Sequence, residues 1–209
     1  MKKNITLYIQ GVNYLSSHIT FLQWLINLGY WFINAKPNYK TAHPDWLTKE
    51  NTHSEEIVAV EWKADLNPLS KIHAVKELRK AIDIYTKEYN VIIVGTSLGG
   101  LIATDALKHF SSSNVSNLIL VGSINKHKKI DLDGIKILNV YSKQDTLARL
   151  ATRFLAPIHG SQELEGENVT NISIRGVRHD QLFKDHKVSS GKYKDKTIGQ
   201  AIFEEVLWV

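Results

Sequence analysis

Short apolar runs recur along the chain at intervals that suit the strands of a buried sheet. The run Val91–Val94 consists only of β-branched residues, which favours a strand covered on both faces. Runs of this kind predict strands at Ile5–Ile9, Tyr30–Ile33, Ile57–Val60, Val91–Val94, Leu118–Val121, Ile135–Tyr141 and Val169–Ile174.

Apolar residues at helical spacing lie between most of these runs. The helices they predict cover Ile19–Ile26, Pro68–Tyr85, Leu101–Phe110, Leu147–Leu155 and Ile198–Val206. Strands that alternate with helices predict an α/β fold, a doubly wound and mostly parallel sheet with helices on both faces. Because neither an internal repeat nor a linker interrupts the pattern, we expect residues 1–209 to form a single domain.

One stretch departs from this pattern. Residues 35–56 are polar and rich in turn-forming residues such as Pro37, Pro44 and Asn51. A loop of this length inside a compact domain is commonly functional. Two interpretations stay open, an ordinary surface loop and a lid or substrate-binding insertion.

Composition narrows the classes of protein that fit. The chain has no cysteine, which excludes disulfides, thiolate zinc sites and cysteine nucleophiles. No run is long and apolar enough for a membrane span or a secretion signal, so we expect a cytoplasmic protein without stable membrane insertion. The histidines His18, His43, His53, His73, His109 and His127 lack metal-ligand spacing. We therefore expect no metal and no cofactor, and the sequence does not indicate an oligomeric state.

The net charge of +5 comes mainly from scattered residues. Two stretches are denser in lysine, Lys126–Lys129 and Lys184–Lys196, and we interpret both as solvated loops. Attraction to an anionic lipid, a nucleic acid or an acidic substrate is the alternative. Aromatic residues do not alternate with these lysines as a nucleic-acid groove requires, so we expect no nucleic-acid partner.

A glycine-rich turn follows the apolar run Val91–Val94. It reads Gly95-Thr96-Ser97-Leu98-Gly99 and matches G-x-S-x-G. A serine between a strand and a helix in this motif is typical of a nucleophile elbow, in which Gly95 and Gly99 remove side chains that would clash. A plain glycine-rich turn or a small anion-binding turn would give the same letters.

A serine hydroxyl needs a base, and the base needs an acid that orients it. Because reactive groups gather beyond the carboxyl ends of parallel strands, we expect the base and the acid directly after the predicted strands. Asp145 follows the strand that ends at Tyr141, and His179 follows the strand that ends at Ile174. Asp145 could instead only cap a helix, and His179 could be a surface histidine. The rivals are Asp131 and Asp133 for the acid and His159 and His186 for the base.

The chain resembles the α/β-hydrolase superfamily and its small lipases and esterases. The resemblance rests on the segment Gly95–Gly100, on Asp145 and on His179, which follow one another in this order. The resemblance implies a serine hydrolase that cleaves small acyl esters through an acyl-enzyme. It implies oxyanion donors at the backbone N–H groups of Val12 and Leu98, although Gln10-Gly11 stands where the superfamily often has His-Gly. A thioesterase or amidase with the same triad, and a noncatalytic binding protein of the same fold, are the alternatives.

Overall fold

The computed structural model describes residues 2–11, 43–62, 68–108, 110, 114–155 and 162–207. These residues contain six strands, β1 (Asn4–Ile9), β2 (Ser54–Ala59), β3 (Asn90–Thr96), β4 (Val115–Val121), β5 (Lys136–Tyr141) and β6 (Val169–Ser173). They also contain the helices α1 (Lys49–Thr52), α2 (Pro68–Tyr85), α3 (Leu98–Leu107), α4 (Thr146–Leu155) and α5 (Ile198–Leu207), and a 3₁₀-helix (His179–Phe183).

The six strands form one sheet in the order β2-β1-β3-β4-β5-β6. Every neighbouring pair is parallel, which confirms the predicted doubly wound α/β fold. The order changes direction between β1 and β3, because the chain runs outward from β1 to β2 and then crosses back to β3. In sheets of this kind, ligands bind beyond the carboxyl ends of the strands at this switch point.

The core has one layer on each side of the sheet. Successive strand residues point to opposite faces, so Ile93 packs with α2 and α3 while Ile92 and Val94 pack with α5. This alternation explains why β3 is apolar at every position from Val91 to Val94. Both layers are needed to cover it.

Some boundaries differ from the sequence prediction. β2 begins at Ser54 rather than Ile57, because its first residues pair with β1 although they are polar. Ser54 is held there by a 2.7 Å hydrogen bond between its Oγ atom and Thr6 Oγ1. The predicted strand Tyr30–Ile33 and the predicted helix Ile19–Ile26 lie outside the described residues.

The described part of the segment 35–56 contains regular structure. Thr48 caps α1 by accepting a hydrogen bond from Asn51 N, and Trp46 is fully buried in the α5 layer of the core. The indole Nε1 atom of Trp46 donates to Leu182 O at 2.9 Å. Residues 43–56 are thus part of the packed fold, while the lid itself stays a prediction.

Candidate active site

The three residues singled out from the sequence follow the carboxyl ends of three parallel strands. Ser97 comes directly after β3, Asp145 follows β5 and His179 follows β6. Because all strands run the same way, these three positions lie along one edge of the sheet. The rival acids Asp131 and Asp133 precede β5, so they belong to the opposite edge, and both are exposed.

Ser97 occupies a backbone conformation that residues with a side chain rarely adopt. Its φ is 52° and its ψ is −124°. The turn is fixed on both sides, since Ser97 N donates to Val121 O at 3.1 Å and Ser97 O accepts from Gly100 N at 3.1 Å. A conformation of this kind costs about 1–3 kcal/mol and persists only where the surrounding structure enforces it.

Close backbone packing explains the glycines of the turn. A Cβ atom on Gly95 would lie 2.7 Å from Gly100 Cα, and one on Gly99 would lie 2.2 Å from Ile9 O. Either side chain would push α3 away from β1 and β3. The turn can therefore form only where both residues lack a side chain, as the motif predicts.

Gly11 is a further close neighbour of the serine, and its sequence position alone did not predict this contact. A Cβ atom on Gly11 would lie 2.5 Å from Ser97 Cβ and 3.0 Å from Ser97 Oγ. The segment that follows β1 therefore passes directly beside the hydroxyl at the switch point of the sheet. The sequence signal for this contact is a glycine near the end of a strand. Gly11 follows β1, and Gly95 lies near the end of β3.

Asp145 and His179 are in direct contact. His179 Nδ1 lies 2.7 Å from Asp145 Oδ2, the aspartate side chain is fully buried, and the histidine side chain is 11% exposed. Because a carboxylate only accepts hydrogen bonds, this contact puts the proton on Nδ1 and leaves Nε2 as the basic ring nitrogen.

Asp145 also caps a helix. Its Oδ1 atom accepts a 2.8 Å hydrogen bond from Ala148 N in the first turn of α4. The two interpretations of this residue from the sequence are therefore compatible, because each carboxylate oxygen takes one partner. The cap fixes the carboxylate, and the fixed carboxylate orients the imidazole.

Gly122 follows a hydrogen-bond partner of Ser97 in sequence and lies close to the ring of His179. Ser97 N donates to Val121 O, and Gly122 is the first residue after β4. A Cβ atom on Gly122 would lie 3.4 Å from both Cε1 and Nδ1 of His179. The imidazole ring thus lies over the end of β4, the strand beside the one that ends at Ser97.

Tyr8 lies beneath the turn. Its hydroxyl is 3.2 Å from Thr96 Oγ1, the residue before Ser97, and the side chain is fully buried. Burial raises the pKa of Tyr8 to about 12, with the hydrogen bond to Thr96 opposing the rise. The phenol therefore stays neutral across the physiological range and cannot replace the imidazole as a base.

The other candidates are distributed as follows. Leu98 is the first residue of α3, so its N–H belongs to the helix N-terminus that follows Ser97. His186 contacts the start of α5, where its carbonyl accepts from Ile198 N, and its buried Nε2 atom has no hydrogen-bond partner among the described residues. Val12 and His159 lie outside the described residues.

The lysine-rich stretches are partly neutralised. Lys126 lies 3.2 Å from an Asp105 carboxylate oxygen and Lys128 lies 2.6 Å from one of Glu165. Within the described ranges, no three histidine, aspartate or glutamate side chains come together as a metal site would need. Across the same residues, no helix combines the length and the apolar character that crossing a membrane requires.

The all-parallel sheet and the strained strand-to-helix turn at Ser97 agree with the α/β-hydrolase superfamily, to which the chain belongs. A family model described as a PGAP1-like alpha/beta domain matches residues 33–206, so the chain belongs to that family. No curated protein sequence matches the chain significantly.

Solved structures show the same fold at low sequence identity. Est1E from Butyrivibrio proteoclasticus has a TM-score of 0.52 and 14% identity, and the alignment covers 99% of this chain and 88% of that one. TT1662 from Thermus thermophilus has a TM-score of 0.51 and 12% identity, with 100% and 90% covered. At these identities the likeness concerns the fold, and the chemistry has to be argued from the site.

Proposed function

We propose that the protein is a serine hydrolase that cleaves carboxylic esters of small molecules through Ser97, His179 and Asp145. The observation that carries this proposal is the 2.7 Å contact between His179 Nδ1 and buried Asp145 Oδ2 at the edge where Ser97 is held in a strained turn. A buried carboxylate paired with one ring nitrogen leaves the other available to a hydroxyl.

In the first half of the reaction, His179 Nε2 takes the proton of Ser97 Oγ while the oxygen attacks the ester carbonyl. Asp145 holds the ring and stabilises the imidazolium that forms. The Leu98 N–H donates to the resulting oxyanion, and the Val12 N–H is the proposed second donor. The intermediate collapses, the imidazolium gives its proton to the leaving alcohol, and an acyl-enzyme remains.

In the second half, His179 Nε2 takes a proton from water, whose oxygen attacks the acyl carbonyl. The tetrahedral intermediate then releases the carboxylic acid, and the imidazolium returns its proton to Ser97 Oγ. A thioester or an amide would pass through the same steps. Esters, thioesters and amides must therefore be compared experimentally.

The test is a panel of p-nitrophenyl esters, acyl thioesters and anilides with wild type and Ser97→Ala. We expect ester turnover that Ser97→Ala abolishes, and labelling by a fluorophosphonate probe that is lost in the same variant. Ser190→Ala is the matched control, because Ser190 is an exposed serine outside the turn, and it should keep both activities.

The outcomes separate the alternatives. Turnover of thioesters or anilides without esters would favour the thioesterase or amidase, with the triad retained. Absence of both turnover and labelling in the folded wild type would favour a noncatalytic binding protein. Ester turnover that survives Ser97→Ala would contradict the assignment of the nucleophile.

A further inference from the structure

A tryptophan that follows β2 contacts the segment that passes beside Ser97. Trp62 lies three residues after the end of β2, and it is 5% exposed. Its indole Nε1 atom donates a buried hydrogen bond of 3.0 Å to Gln10 O. Gln10 follows β1 directly and precedes Gly11, whose backbone passes beside the serine. The indole therefore holds the chain one residue before it reaches Ser97.

The first turn of α3 packs against the same carbonyl group. A Cβ atom on Gly99 would lie 2.7 Å from Gln10 O and 2.8 Å from Gln10 C. Gln10 itself is buried, at 6% exposure. Its carbonyl group is therefore enclosed by the indole of Trp62 and by the backbone of α3. Because a buried carbonyl is costly to leave without a donor, the indole N–H favours one position of the Gln10 backbone.

The position of Trp62 is fixed by its own surroundings. Val60 N donates to Tyr8 O at 2.8 Å, which extends the contact between β1 and β2 one residue beyond the end of β2. The side chain of Trp62 belongs to the core layer that contains α2 and α3. Backbone pairing and packing thus hold the indole, so its N–H has a defined position relative to Gln10.

This hydrogen bond bears on the proposed oxyanion donors. The Leu98 N–H belongs to α3, whereas the proposed Val12 N–H belongs to the residue directly after Gly11 in the chain. A donor is effective only when it is held about 2.7–3.1 Å from the position of the oxyanion. A shift of Gln10 would therefore affect the second donor and leave the first in place.

We propose that Trp62 is a positioning residue for the reaction, whose indole N–H holds Gln10 and Gly11 beside Ser97 and thereby places the second oxyanion donor. This inference rests on the proposed ester hydrolysis and adds to it a residue outside the triad. The contact joins two residues 52 positions apart, so the sequence pattern does not indicate it.

The experiment compares Trp62→Phe with Trp46→Phe. Trp46 is the matched control, because it is also a buried tryptophan whose Nε1 atom donates to a backbone carbonyl. That carbonyl, however, belongs to the 3₁₀-helix that begins at His179. Each variant loses one indole N–H and keeps an aromatic ring. Trp62→His is added because the Nε2–H of histidine can supply the lost donor.

Each protein is assayed with the p-nitrophenyl ester that the wild type turns over fastest and with its thionoester, in which sulfur replaces the carbonyl oxygen. One measured quantity is kcat per active site, with the sites counted by complete reaction with the fluorophosphonate probe. The other is the ratio of kcat/KM for the ester to kcat/KM for the thionoester. A thiocarbonyl sulfur accepts hydrogen bonds more weakly than oxygen, so this ratio reports on the oxyanion donors. Partial unfolding leaves the ratio unchanged, because both substrates meet the same folded fraction.

We expect Trp62→Phe to lower kcat for the ester by about tenfold, to change KM by less than about threefold, and to lower the ratio by about three- to tenfold. Trp46→Phe should lower the turnover of both substrates together and leave the ratio unchanged, since a misplaced His179 affects either substrate. Trp62→His should recover part of the ratio.

A ratio that falls in Trp62→Phe and not in Trp46→Phe supports the inference. If ester turnover depends on Ser97 and Trp62→Phe keeps the wild-type ratio and kcat, the inference is wrong and the proposed function stands. If the wild type shows no ester turnover that depends on Ser97, the proposed function fails and the inference fails with it. Should Trp62→Phe not fold, 3-benzothienylalanine at position 62 replaces it in the comparison, because this analogue keeps both rings and has sulfur in place of the N–H.

Discussion

At the scale of single residues, Asp145 makes two contacts whose effects can be separated experimentally. One oxygen accepts from Ala148 N at the start of α4, and the other contacts His179 Nδ1. An amide in place of the carboxylate keeps an oxygen for one partner only. The two tasks therefore respond differently to different substitutions.

We predict that Asp145→Asn lowers kcat by about 10³–10⁴-fold with little loss of stability. The amide oxygen still caps α4, but the amide cannot accept from Nδ1 and stabilise the imidazolium at the same time. Asp145→Ala should lose kcat to a similar extent and, in addition, lower the free energy of unfolding by about 1 kcal/mol or more. Ester kinetics and urea denaturation measure the two effects. Equal stability losses in both variants would contradict a separate role in capping.

The sequence predicted the positions of Ser97, Asp145 and His179 because each follows an apolar strand, and parallel strands end at one edge. It could not predict the contact of Gly11 with Ser97, since this depends on how closely two strand ends approach. It could not decide between capping and pairing for Asp145 either. Both interpretations need only an aspartate after a strand, and the structure contains both contacts.

At the scale of elements, the 3₁₀-helix that begins at His179 is held by a distant segment. Trp46 Nε1 donates to Leu182 O, and Asp45 N donates to Phe183 O at 2.9 Å. Both donors belong to the stretch 35–56, for which the sequence allows either a surface loop or a lid. Movement of that stretch as one unit would break both bonds and release the helix that carries the proposed base.

We predict that Trp46→Phe lowers the free energy of unfolding by about 1–3 kcal/mol, because the buried Leu182 carbonyl loses its donor. It should also lower kcat by about tenfold, since a displaced 3₁₀-helix misplaces His179. Ile82→Val is the control, because Ile82 is fully buried in the other layer of the core and its loss of a methyl group costs about 1 kcal/mol. If Ile82→Val lowers kcat as much as Trp46→Phe does, the effect is one of general stability.

The bounds of a strand or helix could be predicted where the element buries an apolar face, and less well where it does not. β3 and α2 were predicted almost to their ends because apolar periodicity marks their buried positions. β2 is the outermost of the described strands, and its first residues are polar, so the apolar pattern did not indicate where it begins. α1 and the 3₁₀-helix are too short for periodicity to appear, and a tertiary hydrogen bond from Trp46 helps to hold the latter.

At the scale of the whole molecule, one sheet separates two core layers that share every strand. Trp62 belongs to the α2 and α3 layer, and Trp46 belongs to the α5 layer. Because central strands contribute alternate residues to both layers, neither layer can lose its packing without the other. The single domain over residues 1–209 stays a prediction, which unfolding can test.

We predict that denaturant unfolds the chain in a single transition. Tryptophan fluorescence, which reports on both core layers, should give the same midpoint as the far-ultraviolet circular dichroism of the helices and strands. Two separated midpoints would show that the molecule consists of two cooperative units. A non-tryptophan probe on α2 would then identify which layer unfolds first.

The strained backbone at Ser97 lowers the stability of the fold at the residue that is the proposed nucleophile. A glycine there would relax the turn and strengthen the fold, yet it would delete the hydroxyl on which the proposed chemistry depends. Under the proposed mechanism, the more stable Ser97→Gly variant would therefore have no nucleophile. A selection for heat resistance alone would therefore favour a variant that lacks the proposed activity.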